Sequence, residues 1–229
     1  MKETKKKLLF IALFTLIGLL AFQVSFSNIV GSDKQFTLFE FIAPIGGLII
    51  GPAAAAISAF VVRGTNVLFF NQTIDWVTIA RFLPMILAAI YFGTKSKKNL
   101  IIPLICMALF IAHPQGQAAW YYSLYWLIPV LAEFKKDRLI LRSLGATFTA
   151  HAIGSVIFLY GFGLPATVWL GLIPIVALER GLFAVGIWAS YLVFNNGLEI
   201  LTSKNKFKSA KRLVNPRYLI SKNFFKYSA

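Results

Sequence analysis

The chain has 229 residues, 58% of them hydrophobic, and a formal charge of +15. A soluble domain is roughly 45–50% apolar, so this composition leaves too little polar surface to cover a core in water. The lysines and arginines sit between and beyond the apolar runs, which assigns them to lipid headgroups and topology rather than to nucleic acid.

Apolar stretches fall at 8–26, 37–50, 52–70, 78–93, 99–113, 118–132, 140–161, 166–178 and 182–202. They are apolar all round rather than alternating with period 2, so they read as membrane helices and not as barrel strands. The expected fold is all-α, a polytopic helical membrane bundle of about 6–8 spans. It forms one domain over 1–203, followed by a basic cytoplasmic tail over 204–229. The first stretch follows Lys5-Lys6-Lys7 without a small-x-small cleavage site, and reads as an uncleaved first helix.

All but four of the 23 basic residues lie in four clusters: Lys2/Lys5/Lys6/Lys7, Lys95/Lys97/Lys98, Lys135/Lys136/Arg138/Arg142, and the tail from Lys204 to Lys226. The positive-inside rule places all four clusters, and so both termini, in the cytoplasm of a plasma-membrane protein. An even number of crossings must then separate Lys7 from Lys95. Gly51-Pro52 splits 37–70 into a hairpin, fully spanning or partly re-entrant. The same parity makes 166–202 one net crossing. Glu179-Arg180-Gly181 is expected to break it into a short outer helix over 166–178 and a last span over 182–202. Asp33, Glu40, Asp75 and Glu179 then balance Lys34, Arg63, Arg81 and Arg180 on the outer face.

Polar groups at membrane depth are costly, which makes them the candidate functional residues. His113-Pro-Gln-Gly-Gln117 forms an outer turn, and Trp120, Tyr121 and Tyr122 follow it. His113, Gln115, Gln117, Trp120 and Tyr121 suit a flat polar solute, with rings for stacking and amides for orientation. An interfacial aromatic belt explains the rings equally, but not the amides or the imidazole. Ser143, Thr147, His151 and Ser155 recur every four residues on one helical face. That stripe either lines a polar cavity, with His151 bonding a solute, or allows close helix packing. Glu40 and the other outer charges pair either with a solute or with one another. No phosphate loop, zinc-protease helix or nucleophile elbow is present, and Cys106 stands alone. No catalytic residue, metal or cofactor is implied, and ATP-driven transport would need its ATPase from a partner.

At Pro44-Ile-Gly-Gly-Leu-Ile-Ile-Gly-Pro52-Ala-Ala-Ala-Ala-Ile-Ser-Ala59 the chain resembles the substrate-binding (S) components of energy-coupling factor (ECF) transporters. Those proteins often carry a Gly-Leu-x-x-Gly-Pro hairpin before a small-residue helix. They usually have six spans and an Ala-x-x-x-Ala in the first helix. Here Ala55 and Ala59 stand in the third. The resemblance implies a binder of a vitamin-like or other small organic solute, open outward. It would pass that solute to a transmembrane coupling subunit and cytoplasmic ATPases. The rivals are a non-transporting polytopic scaffold and a membrane-embedded enzyme on a lipid-linked substrate, with His113 or His151 as base.

Overall fold

The computed structural model of the protein describes residues 3–29, 35–70, 72–203 and 211–220. Lys2, Asp33, Lys34, Lys204, Lys206, Lys208, Lys222 and Lys226 lie outside them. The described chain is nearly all α-helical. Four of its helical segments, Pro52–Phe69, Trp76–Gly93, Leu139–Phe162 and Ala166–Thr202, are long and apolar enough to cross a membrane. Large apolar side chains cover their outer surfaces, among them Phe60, Leu68, Ile79, Leu182 and Val193. In water such a surface would aggregate; in lipid it costs nothing.

Helix α1 (Glu3–Phe22) and helix α3 (Pro52–Phe69) are joined by two polar contacts. Thr15 Oγ1 donates to Ser58 Oγ at 2.9 Å, and Gln23 Nε2 donates to Asn66 Oδ1 at 3.4 Å. Both pairs are 43 residues apart, so α1 and α3 run parallel and α2 (Phe39–Ile49) makes the return. At the turn Gly51 takes φ 93°, and Pro52 opens α3 where its missing N–H costs nothing. The hairpin is therefore built from an 11-residue helix and an 18-residue one. At about 1.5 Å per residue, α2 is only about half as long as a ~30 Å hydrocarbon core. Ala55 and Ala59 are each 1% exposed. They pack inward and offer no docking face.

Helices α4 (Trp76–Ala80) and α5 (Leu83–Gly93) follow, and α5 lies against α2 at backbone distance. A Cβ on Gly47 would collide with the Ala89 carbonyl oxygen and lie 2.6 Å from the Gly93 nitrogen. After a 3-10 turn at Lys97–Leu100 come α6 (Ile101–Ala112), α7 (Pro114–Ala118), a 3-10 helix at Trp120–Trp126 and α8 (Leu127–Phe134). Helix α9 (Leu139–Phe162) is the axis of the bundle. Of its most apolar window 61% is buried, against 28% for the other three segments. Its run of Ser, Gly, Ala and Thr lets neighbours approach closely. Gly145 abuts Tyr91, and Gly161 abuts Val77 and Trp76, so α9 is antiparallel to α4 and α5.

The expected break at Glu179-Arg180-Gly181 is absent. Helix α10 runs unbroken over Ala166–Ser203, 38 residues, with Pro174 inside it. Glu179 and Arg180 form an ion pair at 2.5 Å, and the guanidinium rests on the Phe183 ring at 3.9 Å. The charges are neutralised locally, so the helix need not bend to bring them to water. Between α1 and α2 lies a short hairpin. Strand β1 (Ser25–Asn28) pairs antiparallel with β2 (Gln35–Thr37).

The end of the bundle that carries Lys95, Lys97 and Lys98 is held by a buried network. Glu133 accepts from Ser96 N at 2.8 Å, from Asn99 Nδ2 at 3.0 Å and from Lys136 Nζ. The Lys136 ammonium also lies 3.4 Å from the centre of the Tyr91 ring. Residues 211–220 fold back onto this end. Asn195 exchanges two hydrogen bonds with the Asn215 backbone, and Asn196 holds Tyr218 O and Ile220 N. Leu219 is 2% exposed.

Two predictions follow from this packing. Gly47→Ala should lower Tm in detergent through overpacking worth about 1–3 kcal/mol. Gly181→Ala, where a Cβ meets nothing within 4 Å, should be neutral. Equal Tm values would show that α2 and α5 do not touch. Burial brings the Lys136 ammonium down from 10.5 to about 8, against the opposing pull of Glu133. The unfolded chain therefore binds the extra proton between those values, and stability should rise with pH from about 8 towards 10.5. Tm against pH should show this rise in the wild type relative to Lys136→Met. Parallel curves would place Lys136 in water.

Candidate functional site

The opposite end of the bundle contains a half-open cavity of about 130 Å³. Its lining comes from the β-hairpin (Phe36), α2 (Glu40), α3 (Arg63), the α4–α5 junction (Arg81), the 120–126 helix (Tyr122), α9 (His151, Gly154, Ser155) and α10 (Trp169, Glu179, Arg180). Apolar walls are supplied by Met85, Phe158, Leu172 and Val176.

The floor is an aromatic box. Phe110 stacks on Tyr122 at 5.6 Å and meets Trp126 and Trp169 edge-on, each at 5.2 Å. Such contacts add about 0.5–1.5 kcal/mol each beyond the area they bury. Against this box sits His151, with both ring nitrogens engaged. Trp126 Nε1 donates to Nδ1 at 3.2 Å, and Nε2 lies 2.9 Å from Tyr122 Oη and 3.4 Å from Ser155 Oγ. An indole nitrogen can only donate, so Nδ1 must be the bare, accepting nitrogen. In the neutral ring Nε2 then carries the hydrogen and donates to Tyr122 Oη. The Tyr122 proton is left to turn towards Ser155, 3.5 Å away, or into the cavity. No lone pair of His151 remains free to act as a base.

The charged groups lie on the other wall. Glu40 Oε2 accepts from Thr37 N and Thr37 Oγ1, both at 2.8 Å, and Oε1 faces Arg63 at 3.8 Å. Arg180 is held by Glu179 and lies between the Phe183 and Phe36 rings, at 3.9 and 4.7 Å. Arg63 lies over Phe22 at 5.0 Å. The Nε atoms of Arg63 and Arg180 are buried without a hydrogen-bond partner. Among the described residues no three His, Cys, Asp or Glu side chains gather to hold a metal ion.

Of the seven residues singled out in the sequence, the cavity brings together Glu40 and His151. The other five lie outside its lining. His113 caps α7 by accepting from Gln115 N at 3.2 Å, and Gln115 Oε1 accepts from Ala166 N at 2.9 Å. His113 therefore serves as a helix cap, and Gln115 ties α7 to the start of α10. Gln117 is exposed, and Trp120 and Tyr121 turn outward at 52% and 43% exposure. The stripe on α9 divides. Ser155 and His151 face the cavity, whereas Ser143 donates to Leu139 O in its own helix and Thr147 is buried in packing. Tyr122 and Trp169 were missed. Burial at 122, 126, 129 and 133 repeats every three to four residues. That periodicity, read through the aromatic run, would have separated Tyr122 from Trp120 and Tyr121.

No model of a known protein family matches the chain, and no solved structure matches it. It is 25% identical over 224 residues to an uncharacterized protein of Methanocaldococcus jannaschii, covering 88% of this chain and 73% of that one. That likeness brings no activity with it, so function rests on the geometry above.

Trp126→Phe leaves His151 Nδ1 buried without a donor and should cost about 1–3 kcal/mol. Trp120→Phe, at the exposed rim, should stay within about 0.5 kcal/mol of wild type. Chemical unfolding in detergent checks both. Equal effects would remove the Trp126–His151 bond from the account.

Proposed function

We propose that the protein is a solute-binding subunit for uptake of a small organic solute, of the kind that the S components of energy-coupling factor transporters represent. The observation that carries this reading is a cavity inside the membrane bundle, at the end opposite the lysine clusters, walled by apolar side chains and furnished with a few convergent polar groups. Such cavities are where small molecules bind. The positive-inside rule puts the Lys95–Lys98 and Lys135–Arg142 end in the cytoplasm of the plasma membrane, with both termini. The cavity then opens towards the outside. The helices supply about eight passes on this reading, with α2 the short one and α10 a single long crossing.

The energy source is a partner. The chain offers no phosphate loop, and a transmembrane coupling subunit with cytoplasmic ATPases would supply the work. The basic cytoplasmic end is the surface such partners, or anionic lipid, would meet. In a scaffold the arginines, His151 and Tyr122 would have no solute to serve, and their desolvation would be an unrecovered cost.

Thermal-shift screening of the purified protein against vitamins, nucleobases and amino-acid-like solutes tests the proposal. A binding solute should raise Tm by several degrees. Tyr122→Phe should weaken that solute about tenfold, the loss of one hydrogen bond worth about 1.4 kcal/mol. Trp120→Ala should leave the affinity unchanged. A flat response across the panel, with no partner co-purifying, would instead mark a scaffold.

A further inference from the structure

We infer that the solute is a small organic monocarboxylate, with its carboxylate held among Arg63, Arg81 and Arg180 and its apolar body against Phe158, Leu172 and Val176. This rests on the solute-binding reading and adds the chemical class. Three guanidinium groups line the cavity against two carboxylates, Glu40 and Glu179, so the lining carries one excess positive charge. Asp75 stands near Arg81, but it caps α4 by accepting from Thr78 N at 2.7 Å and does not line the cavity. Asp75 and Glu40 offset part of the Arg81 charge from outside and inside the lining, and an incoming monoanion offsets the rest.

The hydrogen-bonding capacity left over points the same way. One oxygen of Glu40 is occupied twice by Thr37, and its other oxygen is 3.8 Å from Arg63, too far for a hydrogen bond. Glu179 is taken by Arg180. The unpartnered buried atoms, Arg63 Nε and Arg180 Nε, are both donors. Tyr122 accepts from His151, and its own proton, where it turns from Ser155 into the cavity, adds a further donor. Three guanidinium groups and the Tyr122 hydroxyl around the cavity outnumber its acceptors and favour a ligand group that accepts, and an ionised carboxylate is that group.

Size sets the body. The cavity measures about 130 Å³, close to the ~150 Å³ apolar cavity that accommodates benzene. Because the cavity is half-open, a solute of one ring and its carboxylate is accommodated without being fully enclosed, and nothing larger is. Apolar walls over the rest of the space favour an organic anion over phosphate or sulfate.

The test uses the full chain in detergent and three probes of equal size and different charge: benzoate, benzamide and benzylammonium. Benzoate should raise Tm at a concentration at least tenfold lower than benzamide requires, and benzylammonium should have no effect. Arg81→Gln, which makes the lining neutral, should abolish the preference for benzoate over benzamide without unfolding the protein. Should Arg81→Gln fail to fold, the same loss is read in Arg63→Gln, which also removes one positive charge from the lining. Any solute found in the wider screen is compared with its own amide in the same way. Amide or ammonium probes that stabilise as well as benzoate would overturn the carboxylate while leaving solute binding intact. Stabilisation by inorganic phosphate equal to that by benzoate would overturn the organic body. Silence from every probe and from the wider screen would overturn solute binding itself.

Discussion

A charge inside an apolar bundle must find a partner, and in this protein that requirement sorts the polar residues into two separate ends. At one end Glu133 is satisfied by Ser96, Asn99 and Lys136, while Asp137 meets Lys95 at 2.8 Å and Arg217 at 3.5 Å. At the other end Glu40 faces Arg63 and Glu179 pairs with Arg180. Between the two, the helices are apolar and pack through small residues. The ends differ in completeness. The basic end closes on itself and captures residues 211–220 of the tail, whereas the cavity end keeps donors without acceptors. An incomplete polar network in a low-dielectric site is costly to maintain without a ligand.

Helix α9 makes both ends possible. Its glycines, alanines and hydroxyl residues bring α5, α8 and α10 close enough for the buried contacts to form. Its two polar positions at the cavity, His151 and Ser155, then face inward. The same helix sends Arg142 to the Phe92 carbonyl and to Lys136 O at the opposite end. A single element thus fixes the depth of the cavity relative to the basic end, as the proposed transport role would require. His151 serves there as a spacer locked between Trp126 and Tyr122. Its role is to aim the tyrosine hydroxyl.

The hairpin β1–β2 and the arginine–phenylalanine stack complete the cavity wall. Phe36 is at once a strand residue, a ring beneath Arg180 and part of the cavity lining. Phe183 meets Phe36, Phe26 and Phe41 edge-on at 5.0–5.4 Å between ring centres, and Phe26 lies against Phe41 at 5.0 Å. Arg180 can therefore stay buried in the middle of α10 without breaking the helix.

The all-α membrane class, the turn at Gly51-Pro52 and the gathering of lysines at one end were legible in the sequence, because apolar run length, the freedom of glycine at positive φ and charge sorting are local or one-dimensional properties. His151 and Glu40 stood out for the same reason: a polar group in an apolar run is conspicuous wherever it points. Direction was not legible. Whether Gln115 faces a cavity or staples a helix end depends on which amides lie nearby, and α10 supplies that partner from 51 residues away. The continuity of α10 through Glu179-Arg180 depends on Phe36 and Phe183 lying under the guanidinium. The choice of Tyr122 over its two aromatic neighbours is set by the rotational phase of a 3-10 helix packed on α9. Contacts between residues distant in sequence decide all three, and only the folded bundle contains them.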